Sequence, residues 1–161
     1  YSAFAVNQPI TLQTEYGMEE GKDFFFTSWA ELGLAGYANM MFCQRKFLEA
    51  EFDTVVGFLR ATIKGWLYNA KDPKFAPELV VNGPGRDLGL EIDQQLIQNE
   101  IQLEYMQSAL TEEKGIFWID PAEVERSMYP SLRATGRTNL PPATDIFDTR
   151  ALQAAYKEIS V

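Results

Sequence analysis

Tyr37-Ala38-Asn39-Met40-Met41-Phe42-Cys43-Gln44 is followed, a short distance on, by Asp53-Thr54-Val55-Val56-Gly57-Phe58-Leu59-Arg60-Ala61-Thr62-Ile63-Lys64-Gly65-Trp66-Leu67-Tyr68-Asn69-Ala70. The first stretch is a continuous apolar run from Tyr37 to Cys43, the pattern of a buried strand. The second places Val55, Leu59, Ile63, Trp66, Leu67 and Ala70 at three- and four-residue spacing, which draws one apolar stripe along a helix. The period changes after Gln44, and that change predicts strands before it and helices after it.

Working back from Tyr37, Trp29 to Gly36 reads as a glycine-punctuated loop, and Asp23–Thr27 with its Phe24-Phe25-Phe26 triplet reads as a second buried strand. Tyr1–Val6 reads as a third, ending at Asn7-Gln8-Pro9, where Pro9 removes a backbone donor and restricts Gln8. A short helix from about Ile10 to Tyr16 follows and stops at Gly17. Working forward, Asp72 caps a short helix with Pro73 at its first position, and Asn82-Gly83-Pro84-Gly85 ends it. The longest helix is expected over Leu90–Leu110, with Ile92, Leu96, Asn99, Leu103, Met106 and Leu110 on its inner face and Asn99 as the one polar residue there. Asp120-Pro121-Ala122-Glu123 is a capping box that opens a helix over 121–134: Asp120 accepts from the Glu123 amide and the Glu123 side chain reaches back. A final helix capped by Asp148 buries Leu152, Ala155, Tyr156 and Ile159. The expected fold is therefore α/β, helix-rich, with a short mixed sheet.

Composition removes several chemistries. The 161 residues carry 14 Lys and Arg against 23 Asp and Glu, a formal charge of −9, with no His and one Cys. Without His there is no imidazole base, no His metal ligand and no Ser-His-Asp or Cys-His unit. The surplus of acid argues against nucleic acid as a partner, since phosphate binding needs clustered Lys and Arg. Cys43 cannot form an internal disulfide and reads as a small core residue. The glycines of Gly83-Pro84-Gly85-Arg86-Asp87-Leu88-Gly89 have the wrong spacing for a dinucleotide loop and follow a helix. The acids of Glu91–Glu113 lack calcium-loop spacing, and Arg60 with Lys64 reads as the wet face of an amphipathic helix. No catalytic residue, metal ligand or cofactor is assigned.

Candidate binding residues are polar groups and rings beside loops. Asn7 and Gln8 stand at the end of an expected strand, where open α/β sheets place ligand-binding groups. Trp29 and Tyr37 flank the glycine-rich loop, where a flat ring can cover a ligand.

Several stretches in series resemble the solute-binding proteins of ABC importers in the taurine, nitrate, riboflavin and thiamine-precursor group. They are Ala5-Val6-Asn7-Gln8-Pro9, similar to a strand ending in Asn-Glu-Pro; Trp29 to Tyr37-Ala38-Asn39; Phe58-Leu59-Arg60-Ala61-Thr62-Ile63-Lys64-Gly65-Trp66 with the Asp72-Pro73 restart; Gly115-Ile116-Phe117-Trp118-Ile119-Asp120-Pro121; and Asp145-Ile146-Phe147-Asp148-Thr149. The resemblance implies a periplasmic-binding-protein-like fold of type II, a clamp of two lobes that closes on a small molecule and delivers it to an ABC permease. Such proteins are about twice this long, so the chain looks like their C-terminal half. Residues 1–36 would be the end of the second lobe with the hinge, and residues 37–161 the C-terminal part of the first lobe.

Further expectations follow from the resemblance. Ligand-binding residues are Asn7, Gln8, Trp29, Tyr37 and Asn39. The solute is a small heteroaromatic or vitamin-like molecule, such as a thiamine pyrimidine precursor or riboflavin. Gln8 in place of Glu offers a neutral donor and acceptor instead of a charge. The location implied is periplasmic or extracellular, as a membrane-associated lipoprotein whose signal this chain does not contain. A missing N-terminal lobe, or self-association, would cover apolar surface. Two other classes stand beside this one: an enzyme similar to pyrimidine-precursor synthases, and a non-catalytic helical interaction module.

Overall fold

The computed structural model describes residues 2–34 and 36–159. Helices carry it: α1 (Gln8–Thr14), α2 (Arg45–Ala50), α3 (Phe52–Lys71), α4 (Phe75–Asn82), α5 (Ile92–Tyr105) and α6 (Ala109–Lys114). They continue as α7 (Pro121–Glu123), which passes through a π-helical turn, Val124–Met128, into α8 (Tyr129–Ala134), and then α9 (Ala143–Ile146) and α10 (Arg150–Lys157).

Among the described residues there is no strand, only an isolated bridge between Glu20 and Phe24. This overturns the expected α/β, type II binding fold with its mixed sheet. A strand leaves its N–H and C=O groups for a neighbour to satisfy, whereas a helix pairs its own. The expected strands find no neighbour here. Ser2 to Phe4 is irregular and Ala5–Asn7 is a turn; Phe25 in the Phe triplet is 81% exposed; Met40 to Cys43 is exposed and irregular. Cys43 is therefore a surface residue, not a core one. Tyr1, the first residue of one expected strand, and Ala35, in the expected loop, lie outside the described residues.

The chain forms two compact units, Tyr1–Thr27 with Gly65–Ala109, and Ser28–Lys64 with Leu110–Val161. The division falls inside α3. The stripe of α3 packs only in part as its spacing predicts: in the second unit Ile63 is buried, together with Val56, which the stripe did not include, against Leu48 of α2 and Ala151, Leu152, Ala155 and Ile159 of the C-terminal segment, with Val55 and Leu59 partly buried beside them, whereas Leu67 and Ala70 are exposed. Arg60 pairs with Glu158 on the rim of this cluster. Tyr156 lies against Gly115, whose φ of 101° excludes most side chains and whose missing Cβ leaves room for the ring; the Tyr156 hydroxyl donates to the Ile116 carbonyl at 2.9 Å. A second cluster joins Val124, Tyr129 and Ala143, with Tyr37 and Met128 packed on it.

The caps follow the sequence in part. Asp120 accepts from the Ala122 amide at 3.0 Å rather than from Glu123, and the Glu123 carboxylate turns to Arg126 instead of back along the chain. α4 starts at Phe75, two residues after Pro73, with no side-chain cap. The expected helix over 90–110 divides into α5, which ends at Tyr105, and α6.

Asp148 accepts from the Arg150 amide and guanidinium at 3.0 Å, and Arg150 reaches on to Glu49 at 3.2 Å. The hydrogen bond from the Arg150 side chain holds the Asp148 carboxyl below the ordinary carboxylate range. A depressed folded-state pKa adds stability above the unfolded value, and that stability is lost as pH falls through the folded one.

Two outcomes are expected. Ile63 is fully buried, so Ile63→Ala costs about 2–5 kcal/mol in urea unfolding; a change within error would place the α3 stripe elsewhere. Acid unfolding steepens below about pH 4, and Asp148→Asn flattens that dependence, measured by circular dichroism against pH.

Candidate functional site

The five residues expected to bind solute are distributed over both units. Asn7 and Gln8 belong to the first, at the start of α1; Trp29, Tyr37 and Asn39 belong to the second. Asn7 precedes α1 without capping it through its side chain; its Nδ2 donates instead to Gln98 Oε1 of α5 at 3.2 Å. Gln8 turns back and accepts from the Phe4 amide at 2.8 Å. Trp29 is 60% exposed in a turn that Ser28 and Glu31 close: the Ser28 amide and hydroxyl both donate to Glu31, at 2.7 and 2.9 Å. Those bonds, the backbone one first, hold the Glu31 carboxyl below its ordinary range. Tyr37 is half-buried on the Val124 cluster, and its hydroxyl accepts from the Asp120 amide at 3.1 Å. Asn39 is exposed, in the left-handed region at φ 54°.

Asn7 leads to a set of amides that the helix periodicity alone did not single out. α5 packs against α1 and α4, and its inner face there carries Gln94, Gln95, Gln98, Asn99 and Gln102. Gln98 Oε1 accepts from Asn7 and also from Gln94, at 3.0 Å. At the next residue, Asn99 and Asn69 of α3 exchange amide hydrogen bonds at 2.8 and 3.1 Å, and Asn99 Nδ2 also donates to the Pro73 carbonyl at 2.8 Å. Asn69 is only 6% exposed and Asn99 is half-buried, and this reciprocal pair fastens α3, the α3–α4 turn and α5.

Beside these amides lies a hollow of about 200 Å³, lined by Trp66, Ala76, Pro77, Val80, Gln95, Gln98, Asn99 and Gln102, all of the first unit. The lining has an indole, three small or branched apolar side chains and four amides, with no ionisable group. Among the described residues the Gln102 side chain makes no hydrogen bond, and Gln98 uses only its carbonyl oxygen. A donor and an acceptor therefore remain for a guest, next to an aromatic face. Gln95, Gln98 and Gln102 recur at helical spacing, and that period was the available signal, shared with the leucines of the same helix. A larger hollow of about 350 Å³ lies in the second unit, lined by the consecutive residues Glu49 to Thr54. It is the concave side of the α2–α3 bend, with carboxylates of Glu49, Glu51 and Asp53 and no convergent donors.

Residues 2–76 match the model of the NMT1/THI5 like family. The match takes in all five expected ligand-binding residues and, from the hollow, Trp66 and Ala76; it ends before α5. The resemblance to binding proteins of the taurine, nitrate and thiamine-precursor group is thus supported by the NMT1/THI5 like model over that stretch. No curated protein and no solved structure matches the chain. The NMT1/THI5 like match carries a solute-binding or precursor-related role at that level of detail. Among the described residues no helix is long and apolar enough to cross a membrane.

Replacing Asn99 by Ala strands the Asn69 amide in a buried site and is expected to cost about 1–3 kcal/mol. Thermal unfolding measures it; the double change Asn69→Leu with Asn99→Leu should recover part of the loss, since neither partner is then left unpaired.

Proposed function

We propose that this chain binds a small, uncharged, heteroaromatic or vitamin-like solute for an ABC importer. The observation that carries the reading is the hollow beside Trp66 and α5, whose lining offers one aromatic face and several neutral amides. Small-molecule sites are mostly apolar with a few placed polar groups, and this lining has that composition. Amides donate and accept without a charge, so they suit a ring bearing both kinds of edge, such as a pyrimidine or a flavin. The NMT1/THI5 like match over residues 2–76 supports the same class of ligand.

Binding is proposed rather than catalysis. The lining residues hold no group that titrates near neutral pH, so a bound solute there meets no general acid or base. The permease and an extracytoplasmic location are part of the proposal through the family match alone.

Titration calorimetry with 4-amino-5-hydroxymethyl-2-methylpyrimidine and with riboflavin, against nitrate and sulfate as anionic controls, tests it. Saturable heat from a heterocycle and none from the anions is expected. Gln102→Leu should weaken the heterocycle by about threefold to tenfold, the worth of one neutral hydrogen bond. Riboflavin, which does not ionise in this range, should bind with constant affinity from about pH 5 to about pH 8, because no lining side chain changes charge there. Tight binding of an anion, or a heterocycle whose affinity ignores both Gln102→Leu and Trp66→Ala, would refute the reading.

A further inference from the structure

The side-chain oxygen of Gln98 accepts twice, from Asn7 Nδ2 at 3.2 Å and from Gln94 Nε2 at 3.0 Å. An amide oxygen has two lone pairs, so this one has no capacity left for a guest. Gln98 lines the hollow beside Trp66, whereas Asn7 and Gln94 do not. The oxygen is therefore turned away from the hollow, and the amino group is what Gln98 presents to it.

A row of amides within the first unit holds that sense. Gln95 Nε2 donates to Gln94 Oε1, which leaves the Gln94 amino group for Gln98. Turning Gln98 alone would set its amino group against those of Asn7 and Gln94, three donors with no acceptor among them, and each unmade bond has a cost. Gln94 is only 6% exposed, so little water is at hand to replace a lost partner. Gln98 reverses only if the whole row turns with it, and Asn7 is the member of the row that lies off α5.

We infer that Asn7 sets the specificity of the hollow: with Gln94 it holds Gln98 as a donor only, so the solute is a neutral ring that brings a hydrogen-bond acceptor to Gln98 Nε2. This rests on the hollow being the solute site. A ring that sets N–H or C–H at that point leaves the Gln98 amino group without a partner in the complex, and such a ring is selected against. Asn7 is thus a positioning residue, acting on the solute through Gln98.

Titration calorimetry with 7-azaindole and with indole at pH 8 tests the inference. The two rings have nearly the same shape and neither ionises there, but 7-azaindole adds a ring-nitrogen acceptor beside the shared N–H. The unaltered chain is expected to bind 7-azaindole more tightly by about threefold to tenfold, the worth of one neutral hydrogen bond. Gln98→Glu keeps an oxygen for Asn7 and Gln94 and replaces the amino group by a second carboxylate oxygen, so the order should reverse in favour of indole. Asn7→Asp lies outside the hollow and its carboxylate can only accept; it should draw Gln98 Nε2 to itself and erase the preference for 7-azaindole. The ratio of the two affinities is the readout, because a change that merely loosens the fold weakens both rings alike. If neither ring binds the unaltered chain, the hollow is not a solute site and the inference falls with that reading. If both rings bind it equally, or the preference for 7-azaindole persists in either variant, the inference alone is overturned.

Discussion

α3 is the element on which both halves of the packing depend. Its N-terminal turns hold Val56 and Ile63 against α10, where exclusion of water from aliphatic surface stabilises the contact. Its last turn holds Asn69 against Asn99, where two amides satisfy each other away from water. One helix therefore ends in two different kinds of contact. The apolar end tolerates exchange among side chains of similar volume, because that attraction has no direction. The amide end does not, because a buried donor or acceptor without its partner costs more than the bond contributes.

The amides of α5 connect stability to function in the first unit. Asn99 is spent on structure, with Asn69 and the Pro73 carbonyl as partners. Gln98 is half spent, its carbonyl shared between Asn7 and Gln94. Gln102 is unspent. Within about one turn of one helix the same functional group serves as a structural fastening at Asn99 and as a free recognition group at Gln102, and all of these amides line the hollow. Asn7, singled out as a ligand-binding residue, stands behind this row and orients Gln98.

The second unit is held by hydrophobic clusters and by ion pairs at their margins. Arg150 bridges Asp148 and Glu49, and this pins the start of α10 to α2 at little cost in burial. Tyr37 is built into the Val124 cluster and accepts from the first amide before α7, so its ring and hydroxyl both take part in packing. Trp29 and Phe42 stand out in solvent. Within a few residues of chain, aromatic side chains that look alike in sequence thus divide between packing and exposed surface.

Local rules were readable without a structure wherever the deciding interactions lie within one turn or one stripe. The period of Val55, Leu59 and Ile63 and the buried face of Leu152, Ala155 and Ile159 depend on neighbours three or four residues away, and the Asp120 cap on an amide two residues on; these are present in the fold, whereas Thr149, not Asp148, stands at the N-cap of α10 and carries no side-chain cap bond. The split of the 90–110 segment was not readable, because leucines and amides share the helical period there, and Leu96 and Leu103 are half-buried on α5 alongside Gln95, Gln98 and Gln102. The strands were not readable either. Phe24-Phe25-Phe26 and Met40-Met41-Phe42 have the composition of buried strands, yet a strand is defined by a partner far along the chain or on another chain, and no period within the segment reports whether that partner exists. Helix, cap and stripe were determined by sequence because their hydrogen bonds close locally; sheet, exposure and the choice of which polar side chains remain free were decided by tertiary structure, because those depend on what arrives from a distance.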